Sequence, residues 1–254
     1  PAQASAVLKN GDVDYMTQLT TGIWEGTKEA KNGTILGQSE RYVSYVGFKL
    51  GKFNKQKGEV EVDPNAKAAD KRVRQAFGYA VDWDQINEKL YKGLRFTPTG
   101  SGFYPPIVKM FHSAEGEKYT KDVEKAKKLL DEAGLKDKDG DGLREDKNGN
   151  KLTFNFAIRN TGQDFDQALA DTFKSWKEVG LDVKLVDGKL MAPKDWYQRV
   201  QGDDLGIDIF QGAWGLATDP NASSLVGKSS PLNLQRYTTE EIQKSLDAMT
   251  SNDM

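Results

Sequence analysis

Between Asp70 and Tyr91 the chain reads DKRVRQAFGYAVDWDQINEKLY, and its apolar residues recur at helical intervals. Val73, Phe77 and Val81 stand at i, i+4 and i+8 with Ala76 and Ala80 beside them, while Lys71, Arg72 and Gln75 fall on the other side. That spacing predicts a helix with one buried face. Asp82 occupies an N-cap position and Gln85 follows three residues later, a capping-box-like pair that starts a second helix, with Ile86 and Leu90 as its apolar stripe and Gly93 as its stop.

The same reading extends along the chain. Ala4 to Asp14 reads as a helix end, a Gly turn and a short strand, and Gly22 to Gly37 as loop and short strand. Arg41 to Leu50, RYVSYVGFKL, is rich in aromatic and β-branched residues and predicts a strand buried on both faces or nearly so. Gly51 to Ala69 is charged, contains Pro64 and reads as a surface excursion, and Leu94 to Val108 is a loop stiffened by Pro98, Pro105 and Pro106. Thr120 is placed to cap a helix whose Val123, Ala126, Leu130 and Ala133 share a face, with Gly134 at C′. Leu152, Phe154, Phe156 and Ile158 alternate as in a half-buried strand. A helix from about Asp164 to Val179 follows, with Phe165, Leu169, Phe173 and Trp176 inward, then Gly180 and a second strand from Leu181 to Val186. With connections this short the three elements form a parallel, right-handed βαβ unit. Ala192 to Val200 predicts a short helix presenting Trp196, Leu205 to Gln211 another strand, and Ile242 to Met249 a last helical pattern.

Composition narrows the chemistry. A chain of 254 residues can bury a substantial core. Its formal net charge of −2 offers no global field for nucleic acid or an anionic membrane surface. Absence of cysteine excludes disulfides and thiolate catalysis. No window reaches the roughly 18 apolar residues of a membrane span. A helical pattern is already under way at Pro1 to Asn10 and another stops at the final SNDM, so the chain reads as an excised piece of a longer protein.

Candidate catalytic groups are few. His112 is the sole histidine, no Gly-x-Ser-x-Gly elbow is present, and Gly100 and Gly102 do not open a nucleotide-binding turn. Carboxylates are plentiful, which leaves a two-carboxylate hydrolase open, although no pair is singled out. In DKDGDGLRED, Asp137, Asp139 and Asp141 followed by Gly142 match the first half of a calcium loop, but Asn148 stands at the twelfth position where a bidentate Glu belongs. Calcium and a plain acidic turn are both readings of that loop. In FQGAWGLATDP, Trp214 follows a strand and Asp219 precedes Pro220, which places a flat apolar surface and a charge where the strands of an open sheet meet a cleft; a core anchor and a turn cap are the alternative.

Several of these stretches, in this order, resemble the extracytoplasmic oligopeptide-binding proteins of ABC importers, solute-binding protein family 5. The resemblance rests on Arg74, Ala76, Tyr79, Ala80, Val81 and Asp82 with Ile86, Tyr91 and Gly93. It continues through the Leu8 to Asp14 run, EKAKKLLDEAG from Glu124 to Gly134, the DGDG turn, the βαβ unit, and the strand that leads to Trp214, Asp219 and Pro220. The family's Tyr-x-x-Phe-Asn crossover strand is matched by Tyr45 and Phe48, but Lys49 stands in place of Asn. The resemblance implies an α/β, periplasmic-binding-protein-like lobe with a mixed, partly parallel sheet flanked by helices. Residues 41–220 would be the second lobe, 1–40 a remnant of the first lobe and the crossover, and 221–254 a truncated return segment. It further implies a non-enzymatic protein that captures oligopeptides for a membrane permease. Such a protein is monomeric, binds no nucleic acid and is extracytoplasmic, at the cell surface or in the periplasm, with a lipid anchor on the full-length form. Trp214, Asp219, Tyr45 and Phe48 would line the ligand cleft and no cofactor is required, with calcium at Asp137, Asp139 and Asp141 left as the alternative to a plain acidic turn. A carboxylate-dependent hydrolase and a non-transport peptide-sensing surface domain are the competing functions.

Overall fold

The protein is described by a computed structural model covering residues 2–17, 23, 26–28, 33–36, 41–95, 104–110, 112, 113, 115–160, 166–217, 219 and 221–249. Helix α1 (Ala2–Asn10) ends at Gly11, whose φ of 76° supplies the left-handed turn. The main body then runs β1 (Tyr42–Phe48), β2 (Gly51–Asn54), β3 (Glu59–Val62), α2 (Lys71–Tyr79), α3 (Trp83–Tyr91), α4 (Val123–Glu132), β4 (Thr153–Ala157), α5 (Asp166–Glu178), β5 (Asp182–Leu185), α6 (Pro193–Gln201), β6 (Ile209–Gly215), α7 (Ser223–Val226) and α8 (Glu240–Ala248).

Four strands form one sheet in the order β1-β6-β4-β5, and β2 pairs with β3 in a separate hairpin. β4 pairs in parallel with both β5 and β6, whereas β1 runs antiparallel to β6 with Tyr45 opposite Gly212 and Val43 opposite Trp214. The sheet is therefore mixed and partly parallel, and β4, α5 and β5 are the expected parallel unit.

Period-2 alternation sends side chains of β1, β4 and β6 to two separate cores. On one face Phe77 of α2 meets Phe48, Phe154 and Trp176 edge-on, with centroids 5.2, 5.1 and 5.1 Å apart. Val73, Ala76, Leu130, Phe156 and Ile209 close around this hub. The Trp176 indole N–H donates to the Phe77 carbonyl at 3.1 Å, so the largest core side chain leaves no unpaired polar atom. The other face holds Ala157, Val186, Met191, Trp196, Val200, Phe210 and Leu234, with Tyr45 and Trp214 packed against them.

Caps explain where the helices begin. Asp70 accepts from the Arg72 amide at 2.9 Å, Asp82 from that of Gln85 at 2.9 Å, and Asp122 from that of Lys125 at 2.9 Å. The cap of α4 is thus Asp122 and not Thr120, because a carboxylate two residues nearer the apolar face reaches the orphan amides of the first turn. Three other expectations shift. β1 is an edge strand with Tyr42 half exposed, not a strand buried on both faces. Gly51 to Val62 forms a hairpin inside the stretch read as an excursion. Leu205 to Asp208 is loop, with Leu205 97% exposed, so β6 starts at Ile209 and carries Trp214 within it. Phe165 and Asp164 lie outside the described residues.

The segment after β6 is sewn into the same body. The Arg236 guanidinium, 1% exposed, donates to Asp203 at 2.7 Å and to the carbonyls of Pro231, Asn233 and Gln201. Lys49 reaches the same Asp203 oxygen at 2.5 Å and the Val200 carbonyl at 2.8 Å. Asp203 also accepts the Phe53 amide at 2.8 Å. One carboxylate thereby joins the end of β1, the hairpin, the turn after α6 and the segment around Arg236.

Candidate functional site

β4 and β6 are parallel, so their carboxyl ends lie at one edge of the sheet, the edge at which open α/β sheets take ligands. Trp214 stands there at the end of β6, and Arg159 stands two residues past β4, bridged in parallel to Met191. Tyr45 lies one step inward on β1, over Gly212. A Cβ on Gly212 would overlap the Tyr45 ring, and one on Gly47 would overlap Phe210, so the two glycines create the space in which the aromatic rings lie.

The Tyr45 ring meets Phe210 edge-on at 6.0 Å, and Phe210 meets Trp196 at 6.1 Å. Burial pushes the Tyr45 hydroxyl up to about 12, against the pull of the neighbouring Trp214 side chain and of Arg159. Trp196 is buried, and its indole N–H donates to the Ala157 carbonyl at 3.2 Å. It is therefore the floor of the site and is not presented to solvent. Tyr197, next along α6, is 45% exposed and stands perpendicular to it with centroids 5.0 Å apart. The Arg159 guanidinium lies 4.8 Å from the Trp196 centroid and 5.5 Å from that of Tyr197, and donates to the Tyr197 hydroxyl at 2.8 Å.

The four residues expected to line a cleft fall into three places. Tyr45 and Trp214 come together on one face of the sheet. Phe48 points to the opposite face and packs against Phe77, as its odd spacing from Tyr45 on a strand requires. Asp219 is exposed and accepts the Asn221 amide at 2.8 Å, an Asx turn, while its charge adds to burial in raising the Tyr104 hydroxyl. Arg159 and Tyr197 escaped the reading of the sequence. The available signal was a cation directly following a cleanly alternating strand, at the end where parallel strands face a ligand. His112 is half-buried, with its Nδ1 2.8 Å from the Tyr104 carbonyl.

In the acidic loop Asp137 accepts the amides of Gly140 and Gly142 at 2.7 and 2.9 Å. Oxygens of Asp137, Asp139 and Glu145 lie within 4.8 Å of one another, whereas Asp141 is not part of that group. The Lys151 ammonium sits among these carboxylates, 2.7 Å from Asp139 and 2.9 Å from Glu145, and also paired with Asp141. Those three acids hold Lys151 well above its ordinary range. Lys151 in turn holds the Asp141 carboxyl below the usual value.

A mixed sheet with helices on both faces and an aromatic, cationic shelf at the carboxyl edge of its parallel strands defines an α/β lobe of the solute-binding type. The chain belongs to the bacterial extracellular solute-binding proteins, family 5, whose middle region matches residues 1–233. It is 33% identical over 255 residues to the oligopeptide-binding protein OppA of Lactococcus lactis subsp. lactis (strain IL1403), covering 98% of this chain and 42% of that protein. The oligopeptide-binding protein AppA of Bacillus subtilis (strain 168) is 24% identical over 259 residues, 98% of this chain and 43% of that protein. Lactococcal OppA, solved with an endogenous peptide in the closed conformation, superposes with a TM-score of 0.88 at 30% identity, over 99% of this chain and 47% of that one. The chain thus spans less than half the length of these relatives.

Proposed function

We propose that this chain supplies one wall of the cleft of an extracytoplasmic oligopeptide-binding protein, which captures peptides and delivers them to the permease of an ABC transporter. The observation that carries this reading is the shelf of Tyr45, Trp214, Tyr197 and Arg159 at the sheet edge of a chain similar to proteins named for oligopeptide binding. Such a shelf suits a variable peptide, because flat aromatic surfaces accept many side chains while backbone groups and water satisfy the rest. On this reading residues 41–220 form most of the second lobe, the rest of the protein supplies the opposite wall, and the full-length monomer is held at the membrane by a lipid. The protein performs no catalysis. Among the described residues no serine or cysteine nucleophile is paired with His112, and the buried acids are engaged by Lys49, Arg236 and Lys151. Mass spectrometry of small molecules co-purifying with the full-length protein tests the proposal: a mixture of peptides is expected, and a ligand-free protein that binds no peptide by calorimetry refutes it.

A further inference from the structure

On the face of the sheet that carries Trp214, two aromatic side chains lie across glycines of the neighbouring strand. In the register of β1 with β6, Gly47 stands opposite Phe210 and Tyr45 opposite Gly212. A Cβ on Gly47 would overlap the Phe210 ring, and one on Gly212 would overlap the tip of Tyr45, its Cζ and hydroxyl oxygen. Each ring therefore covers bare backbone of the opposite strand, a cross-strand pairing that supports the glycine and fixes the ring. Phe210, fully buried, also meets the Tyr45 ring edge-on at 6.0 Å and is backed by Trp196 at 6.1 Å. The Tyr45 ring is thereby clamped from beneath and from one side.

The tip of that ring is the part that reaches the site. Its hydroxyl oxygen lies over Gly212 and is closed off from solvent. Trp214 follows Gly212 by two residues, so its side chain is on the same face; it is half-buried, and its indole N–H is the hydrogen-bonding neighbour of the Tyr45 hydroxyl. An indole has one polar atom, and that atom is a donor. Turned toward Tyr45, it leaves only carbon of the ring to face the cleft. A bond to a clamped acceptor also fixes the rotamer of the indole, an ordering cost that is otherwise met at the moment of binding. From this geometry we infer that Tyr45 is a positioning residue for peptide capture: its hydroxyl holds the indole N–H of Trp214, so that the ring stands in its binding orientation in the ligand-free protein and offers the peptide a carbon face and no hydrogen bond. The inference rests on the peptide-binding reading and adds to it a role for Tyr45 that acts through its neighbour.

The test is a double-mutant cycle in the full-length protein stripped of endogenous ligand. Calorimetry is run with a panel of synthetic neutral peptides of mixed length, the tightest of which is carried through every variant. Tyr45→Phe deletes the hydroxyl and keeps the ring over Gly212. With Trp214 present it is expected to weaken binding about two- to tenfold, as the ordering of one side chain during binding would give. In the Trp214→Phe background, which has no N–H to hold, the same substitution should change affinity by less than about twofold. A hydroxyl with a merely structural role weakens binding equally in both backgrounds, and that result overturns the inference. A second measurement reads the bond itself in the parent protein. In NMR spectra with isotope-labelled tryptophan, the Trp214 N–H resonance is expected to exchange with water at least about tenfold more slowly than that of an exposed indole, with and without peptide. Exchange as fast as that of an exposed indole in the ligand-free parent overturns the inference even where Tyr45→Phe fails to fold. Parent protein that binds no peptide of the panel overturns the peptide reading, and the inference with it; failure of the inference alone leaves peptide binding intact and shows in the cycle or in the exchange rate.

Discussion

Replacing Asp203 by Asn should unfasten the lobe, and the size of the effect follows from its surroundings. Lys49 and Arg236 have side chains 6% and 1% exposed, and Asp203, 15% exposed, is the anion they share. The substitution keeps shape and an acceptor for the Phe53 amide but leaves two buried cations facing each other. Stranding a buried charge costs about 3–5 kcal/mol, a large part of the roughly 5–15 kcal/mol that holds a domain folded. Burial already depresses Lys49 from 10.5 to about 8, although the Asp203 hydrogen bond and charge oppose it. The sign is then determined. Between about pH 8 and 10.5 the unfolded chain holds a proton on Lys49 that the folded chain has released, so this group makes stability rise with pH in that window, by up to about 1.4 kcal/mol per pH unit. Urea unfolding followed by tryptophan fluorescence at pH 7 and pH 9.5 measures both effects. Asp203→Asn is expected to lose about 3 kcal/mol or more at pH 7 and to regain part of it at pH 9.5. Lys49→Met should lack the pH slope of the parent, and the double variant should be less damaged than the sum of the singles. A loss below about 1 kcal/mol in Asp203→Asn would show a solvent-screened pair and refute the argument.

Phe77→Ala removes the ring shared by Phe48, Phe154 and Trp176, and should cost about 3–5 kcal/mol in the same unfolding assay; a loss under 1 kcal/mol would mean the core closes over the gap. In the acidic loop any calcium ion must compete with the Lys151 ammonium, so Lys151→Met should give a melting temperature that rises with millimolar calcium more than the parent's does, and Asp139→Ala should abolish the rise. No rise in Lys151→Met leaves the loop a plain acidic turn. In the full-length protein Trp214→Ala should weaken peptide binding well beyond its effect on stability. Acetylating the peptide amino terminus should change affinity little, because the residues directly after Trp214 are Gly215, Leu216 and Ala217 and Asp219 is engaged by its own turn; loss of binding on acetylation would place an anchor there after all.

Much of this lobe is legible in the order of its residues. The 3.6-residue period of Val73, Phe77 and Leu130 and the 2-residue period of Phe154, Phe156 and Ile158 locate α2, α4 and β4, because each pattern is imposed by neighbours along the chain that share one face. The parallel pairing of β4 with β5 follows from the intervening helix. Even the separation of Tyr45 from Phe48 was present in the alternation of β1, although a shared family motif places them together. What the chain order does not carry is which distant surfaces meet. Lys49 reads as a departure from a family asparagine, and only folding brings it to Asp203, 154 positions away, where it becomes a buried fastener. The three aspartates of the acidic loop read as half a calcium loop or as a plain acidic turn, and only the fold swings Lys151 into their midst and substitutes Glu145 for Asp141 in the cluster. Arg159 is one more charged residue until α6 lays two aromatic rings beneath it. Periodicity is local and survives in a one-dimensional string, whereas the partner of a charge or a ring depends on sheet order and helix packing, which are settled by the burial of the whole core.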